Sequence, residues 1–278
     1  MTALTSHIAG LRLDHPLIMG VVNATPDSFY DGGRHTGADA AIAHGMVLLE
    51  QGADILDVGG ESTRPGAAPL TEDVELDRVI PVVRALANQG AVVSIDTRNA
   101  GVMTGAADAG AKMINDVAAL TRPGALNAAA DSGLPIVLMH SDADPRSMQD
   151  APSYDDVVAE VFAYLQARIA ACEAAGIFCD RLIADPGIGF AKTPDHNAQL
   201  LAGLKSFQDL SVPILLGASR KSFIGHFSNG ETPDSRLPGS LAAALWGATQ
   251  GASILRVHDV AETAQALAIW RASSGGLV

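Results

Sequence analysis

Short apolar runs recur along the chain, separated by longer alanine-rich stretches. The runs cover 17–22, 54–58, 91–95, 113–117, 135–139, 181–184, 213–216 and 253–257. They are rich in Val, Ile and Leu and do not alternate apolar with polar, which is the pattern of parallel strands buried on both faces. Most of the stretches between them have helical spacing. Ser153, just after Pro152, is a predicted N-cap, and Val158, Val161, Leu165, Ile169 and Cys172 then follow one face. Gly176 is placed to end that helix in the left-handed conformation. Leu76, Val79, Val83 and Leu86 form a second stripe closed by Gly90, and Pro81 inside it removes a backbone donor and predicts a kink. Further helices are predicted over 100–109, 123–130, 196–204, 241–249 and 260–270, where alanine supplies high helix propensity.

Eight strand–helix alternations within 278 residues match the arithmetic of a single (β/α)8 TIM barrel. A doubly wound open sheet is the competitor, but no Gly-rich dinucleotide turn follows the first run. No linker or composition shift divides the sequence, so residues 1–278 read as one domain. With 48% apolar residues the chain can bury a large core.

The net charge of −13 argues against nucleic acid and anionic membrane surfaces as partners, because both call for a cationic face. A small anionic substrate stays open, since a few focused cations can hold a phosphate inside an acidic protein. No apolar run approaches the ~18 residues of a spanning helix. The first fifteen residues lack the basic start and apolar block of a secretory signal. Cys172 and Cys179 have no metal-ligand spacing and read as reduced thiols of a cytoplasmic protein.

In α/β barrels the chemistry gathers where the strands end. Here a polar or ionisable group follows every run: Asn23, Glu61 to Arg64, Asp96, Asn115 with Asp116, His140, Asp185, Ser219 to Ser222, and Arg256 with His258 and Asp259. All eight together argue for a ligand pocket. Asp96, Asn115, Asp185 and Lys221 suit a flat heterocycle that presents amino and ring N–H donors, with Lys donating to a ring oxygen or nitrogen. Asp185-Pro186-Gly187 is also a turn signal, so Asp185 reads equally as a turn residue. Asn23, Arg64, Arg256 and His258, with Ser62 and Thr63, form a cationic or oxygen-rich group suited to phosphate. There is no P-loop, no Rossmann fingerprint and no G-x-S-x-G elbow.

These motifs resemble those of the bacterial dihydropteroate synthases. The segment 19–33, with Asn23-Ala24-Thr25-Pro26-Asp27-Ser28-Phe29, resembles the first family signature, and 57–66, with Glu61-Ser62-Thr63-Arg64-Pro65-Gly66, the second. Ser94-Ile95-Asp96-Thr97, Ile114-Asn115-Asp116, Leu138-Met139-His140, Asp185-Pro186-Gly187-Ile188-Gly189-Phe190, Ser219-Arg220-Lys221-Ser222 and Arg256-Val257-His258-Asp259 follow in the family's order. The resemblance spans about His15 to Trp270. Ala24 replaces a more usual Val, and Tyr30 a small residue. After His140, Ser141-Asp142-Ala143-Asp144-Pro145 departs from the family's Gln-Gly pair and adds negative charge.

The resemblance implies a transferase that joins 6-hydroxymethyl-7,8-dihydropterin pyrophosphate to 4-aminobenzoate in folate biosynthesis. It assigns Asp96, Asn115, Met139, Asp185, Phe190 and Lys221 to the pterin. Asn23, Thr63, Arg64, Arg256 and His258 go to the pyrophosphate, with Asn23 also meeting Mg2+. Phe29, Pro65, Phe190 and Ser222 would line the 4-aminobenzoate site, a sulfonamide target. Asp96, Lys221, Arg256 and His258 would carry the catalysis, and the assembly would be a homodimer. Two alternatives remain: a methyltetrahydrofolate:corrinoid methyltransferase on the same barrel, and a non-catalytic pterin-binding paralogue.

Overall fold

The computed structural model describes residues 6–25, 34–61, 70–141 and 152–273. A short antiparallel hairpin, β1 (His7–Ile8) with β2 (Leu11–Arg12), precedes eight parallel strands. These are β3 (Leu17–Asn23), β4 (Ile55–Gly59), β5 (Val93–Asp96), β6 (Met113–Asp116), β7 (Ile136–Met139), β8 (Leu182–Asp185), β9 (Leu215–Leu216) and β10 (Ile254–Val257). Their order in the sheet is β8-β7-β6-β5-β4-β3-β10-β9. A parallel bridge between Ala184 and Ile214 joins the two edges, with Ala184 N–H donating to the Pro213 carbonyl at 2.9 Å. The sheet therefore closes as a TIM barrel, as the strand–helix alternation predicts.

The lack of alternation in the apolar runs now has its reason. Leu17, Met19, Ile55, Met113, Val137, Ile183, Leu215 and Ile254 point inward and pack on one another. Their neighbours, such as Ile18, Leu56, Ile95, Ile114 and Leu182, point outward and pack under the helices. Both faces are buried, so both are apolar. Ile8 of the hairpin joins the inner cluster and closes the barrel's N-terminal end. The apolar reading stops there and does not extend to this hairpin.

Helices α1 (Arg34–Glu50), α2 (Glu72–Asn88), α3 (Ala100–Asp108), α4 (Ala125–Ser132), α5 (Val157–Ala174), α6 (Pro194–Ala202), α7 (Ser222–His226), α8 (Leu237–Thr249) and α9 (Val260–Ser273) surround the sheet. Helix α1 has no counterpart in the predicted stripes, because Gly37, His44 and Gly45 interrupt its apolar face. Helix α2 runs on through Pro81. Helix α5 starts later than Ser153 suggested. Asp156 is the N-cap, accepting from Val158 and Ala159 N–H at 3.1 and 3.0 Å. Glu160 reaches back to the Asp155 and Asp156 N–H groups, so two carboxylates satisfy the first turn and Ser153 is not needed. No described helix is long and apolar enough to cross a membrane.

Candidate active site

Two residues beyond the apolar inner tier, the same strand parity delivers polar groups. Asp57 pairs in register with Ser94, Gly59 with Asp96, Asp96 with Asn115, and Met139 with Asp185. Arg256 lies two residues beyond Ile254 on β10. The barrel mouth thus holds a cleft lined by Asp96, Asn115, Met139, Asp185, Phe190, Lys221 and Arg256, together with Val117, Ile188 and Gly217. All six residues predicted for the heterocycle are brought together there.

Asp185 serves both functions that the sequence left open. One carboxylate oxygen accepts from Gly187 N–H at 2.7 Å and fixes the turn. The other accepts no hydrogen bond from the described chain, and the residue is 5% exposed on the cleft wall. Burial raises this carboxyl to about 6, against the Gly187 N–H and the positive charges of Lys221, Arg256 and Lys192. The turn needs glycine. A side chain at Gly187 would collide with the His140 carbonyl oxygen. At Gly189, with φ +83°, a Cβ would stand 2.8 Å from Lys221 Cδ.

Lys221 is not a surface cation. Its ammonium sits 4.0 Å from the centre of the Phe190 ring. Burial lowers it to about 8 and nearby Arg256 adds to the effect, while Asp185 and Asp96 oppose it. Asp96 is raised by burial and by neighbouring Asp57, against the pull of Arg256. Arg256, expected at the pyrophosphate, has two carboxylate partners: its Nε donates to Asp57 Oδ2 at 2.6 Å and its terminal nitrogen to Asp96 Oδ2 at 2.8 Å. It is part of the cleft floor, because β10 parity turns it inward between two carboxylates.

His258 follows the end of β10. Its Nδ1 is 3.0 Å from Ser219 Oγ, and its backbone N–H donates to the same hydroxyl at 3.3 Å. Burial, with Arg256 and Arg220 nearby, lowers the imidazole to about 4, so it enters as a neutral donor rather than a cation. Asn23 ends β3 exposed, in register with Gly59. Ser222 opens α7 and is exposed. Phe29, Thr63, Arg64 and Pro65 lie outside the described residues. Of the described residues on either side of the last three, Glu61 accepts from Leu70 N–H at 3.2 Å, and it also accepts from Arg98 at 2.8 and 3.0 Å.

Three strand-end groups face away from the cleft. Asp116 accepts from Ala118 and Leu120 N–H and holds a turn. His140 meets Lys192 Nζ at 3.0 Å, and that ammonium also donates to the Gly187 and Phe190 carbonyls. Arg220, at φ +58°, makes a two-pronged pair with Asp259. Asp57, which the strand-end reading passed over, is fully buried beside the cleft. The available signal was its parity: it is the charged inward position two residues after Ile55.

The chain matches the model of the pterin-binding enzymes over residues 19–258. It belongs to that family. A dihydropteroate synthase of Escherichia coli K12 is 51% identical over 264 residues, which span 95% of this chain and 93% of that one. The Haemophilus influenzae dihydropteroate synthase is 46% identical over 265 residues, 95% of this chain and 96% of that one. Among solved structures, Xanthomonas albilineans dihydropteroate synthase with 4-aminobenzoic acid superposes with TM-score 0.91 at 52% identity, covering 98% of this chain and 97% of that one. The same enzyme in complex with 7,8-dihydropteroate gives TM-score 0.87 at 51% identity, covering 95% of each chain. Within the pterin-binding enzymes the chain therefore falls among the dihydropteroate synthases, which are transferases.

Proposed function

We propose that the cleft binds the pterin of 6-hydroxymethyl-7,8-dihydropterin pyrophosphate and that the chain transfers it to 4-aminobenzoate, giving 7,8-dihydropteroate and pyrophosphate. The observation that carries this reading is the inward tier of acceptors, Asp96, Asn115 and Asp185, with Lys221 as the facing donor. A pterin ring edge offers amino and ring N–H groups to carboxylates and an oxygen to an ammonium. Met139 and Phe190 supply the apolar wall.

In the reaction, the bond from the exocyclic carbon to the pyrophosphate oxygen breaks and its electron pair leaves with pyrophosphate. The cation left on that carbon spreads over the ring, where Asp96 and Asp185 stabilise it. Arg256 and His258 spread the charge of the leaving group, and the family resemblance assigns Arg64 and Thr63 to the same group. The aminobenzoate nitrogen then attacks with its lone pair and releases a proton. The family resemblance assigns Phe29, Pro65 and Ser222, with Phe190, to the aminobenzoate.

Mg2+ fits one arrangement and not another. Among the described residues no three His, Cys, Asp or Glu side chains form a metal cage. An exposed Asn23 amide at the mouth suits an ion held by one protein oxygen, water and the substrate's own phosphates. There it would neutralise charge on the leaving group. The homodimer and the cytoplasmic location belong to the same proposal; exposed Trp246 and Phe227, on and beside α8 and α7, offer apolar surface for a second copy.

The test is an assay with both substrates and Mg2+, following dihydropteroate and pyrophosphate together. Equal amounts of the two support the reading. Pterin binding without turnover would make the chain a non-catalytic pterin-binding paralogue.

A further inference from the structure

We infer that Asp57 is a positioning residue for this transfer: it sets the hydrogen-bonding sense of Asn115 and the posture of Arg256. The inference rests on the pterin reading of the cleft. Asp57 is fully buried on β4. One of its oxygens, Oδ2, accepts from Arg256 Nε at 2.6 Å and from Asn115 Nδ2 at 3.0 Å. Its other oxygen, Oδ1, is buried with no hydrogen-bond partner, and so is the hydroxyl of Ser94, its register partner on β5.

This is not how a carboxylate that supports the scaffold is used. Asp116, one strand beyond β5, spends both oxygens on the backbone N–H groups of its own turn. Glu61 holds a loop end and an arginine outside the cleft. Asp57 holds no backbone group, and both of its partners line the cleft. Burying a carboxylate is costly, and leaving an oxygen unsatisfied adds to that cost. Here the return on that cost lies wholly in the site.

The consequence for recognition follows from donor and acceptor chemistry. Asp57 Oδ2 accepts from the Asn115 amide, which places Nδ2 on that side and Oδ1 on the other. Asn115 therefore meets a ligand with its carbonyl oxygen and its second N–H in one fixed order. The same oxygen draws Arg256 Nε down, while Asp96 takes a terminal nitrogen. The guanidinium is held across the cleft floor by two anchors. Asp57→Asn would let the amide pair at 57 and 115 adopt either sense, and would leave Asp96 as the one charged anchor of Arg256.

The test is calorimetric titration of the full-length protein with 6-hydroxymethylpterin, in a double-mutant cycle of Asp57→Asn and Asn115→Ala. The expected result is a loss of about tenfold in pterin affinity for Asp57→Asn alone, the scale of one charge-assisted contact. In the Asn115→Ala background the same change should cost less than about threefold, because the Asn115 route is already gone and the Arg256 route alone remains. Equal losses in both backgrounds would mean general structural damage and would overturn the inference. If Asp57→Asn does not fold, Asn115→Asp makes the test from the other side. An aspartate there sets one carboxylate against another, so it should bind pterin more weakly than Asn115→Ala; tighter binding would overturn the inference. A wild-type protein that does not bind the pterin at all would instead overturn the reading on which the inference rests.

Discussion

Replacing Asp185 with Asn should move affinity and stability in opposite directions. In the wild type one oxygen is committed to Gly187 N–H and the other is left for a ligand N–H. The amide oxygen of Asn can keep the Gly187 bond, which turns the NH2 group toward the cleft and sets donor against donor. Losing a charge-assisted hydrogen bond costs about 1.5–3 kcal/mol, so pterin should bind roughly 10- to 150-fold more weakly. Stability responds to a different quantity. Burial raises Asp185 from 3.8 to about 6. A raised carboxyl holds its proton longer in the folded state than in the unfolded one. Its contribution is thus complete below about pH 4 and is lost as the pH rises through about 6. Above that, the ionised group is a penalty on the order of 2–3 kcal/mol, which Asn does not carry. Urea unfolding of the ligand-free protein should find Asp185→Asn more stable than wild type at pH 7.5, with the advantage shrinking toward pH 4.5. Near-normal pterin affinity would reduce Asp185 to a turn residue. A variant less stable at pH 7.5 would refute the desolvation argument.

Three other outcomes follow from the same geometry. The pH profile of kcat/KM should be bell-shaped. Asp185 loses its acceptor role as the pH falls through about 6, and Lys221 loses its charge as the pH rises through about 8; a profile with no fall on either side of those limits would exclude both roles. Arg256→Ala leaves Asp57 and Asp96 facing each other without a cation, so thermal unfolding should report a loss of about 3–5 kcal/mol. Titrations of that variant should show diphosphate-bearing ligands weakened more than pterin alone; equal weakening would place Arg256 with the pterin only. Gly189→Ala puts a Cβ against Lys221 at φ +83°, and about 1–3 kcal/mol of strain should appear as lower stability with weaker pterin binding. An unchanged titration would show that Lys221 tolerates displacement.

The barrel was legible because the strand runs are apolar on both faces and most of the stretches between them have helical spacing. What escaped notice has local causes. Helix α1 carries two glycines and a histidine in its apolar stripe, and the β1–β2 hairpin contributes one buried residue, Ile8, too little for a periodic signal. The cleft residues Asp96, Asn115, Asp185 and Lys221 were legible as strand-end polar groups. Arg256 and His258 were legible as site residues but not in their state. Arg256 is bound between Asp57 and Asp96, and His258 sits beside Ser219; those partners lie on or just after other strands, far along the sequence, where no local pattern shows them. Asp57 stood inside an apolar run, where only strand parity marks it as facing inward.

The central claim is that the inward tier of this barrel reads a pterin. A crystal structure of the protein soaked with 6-hydroxymethylpterin tests it most directly. The account predicts the ring between Met139 and Arg256, its amino and ring N–H edge on Asp185, Asn115 and Asp96, and its oxygen within hydrogen-bond reach of Lys221. A ring seated elsewhere on the mouth, with Asp185 and Lys221 untouched, would contradict it.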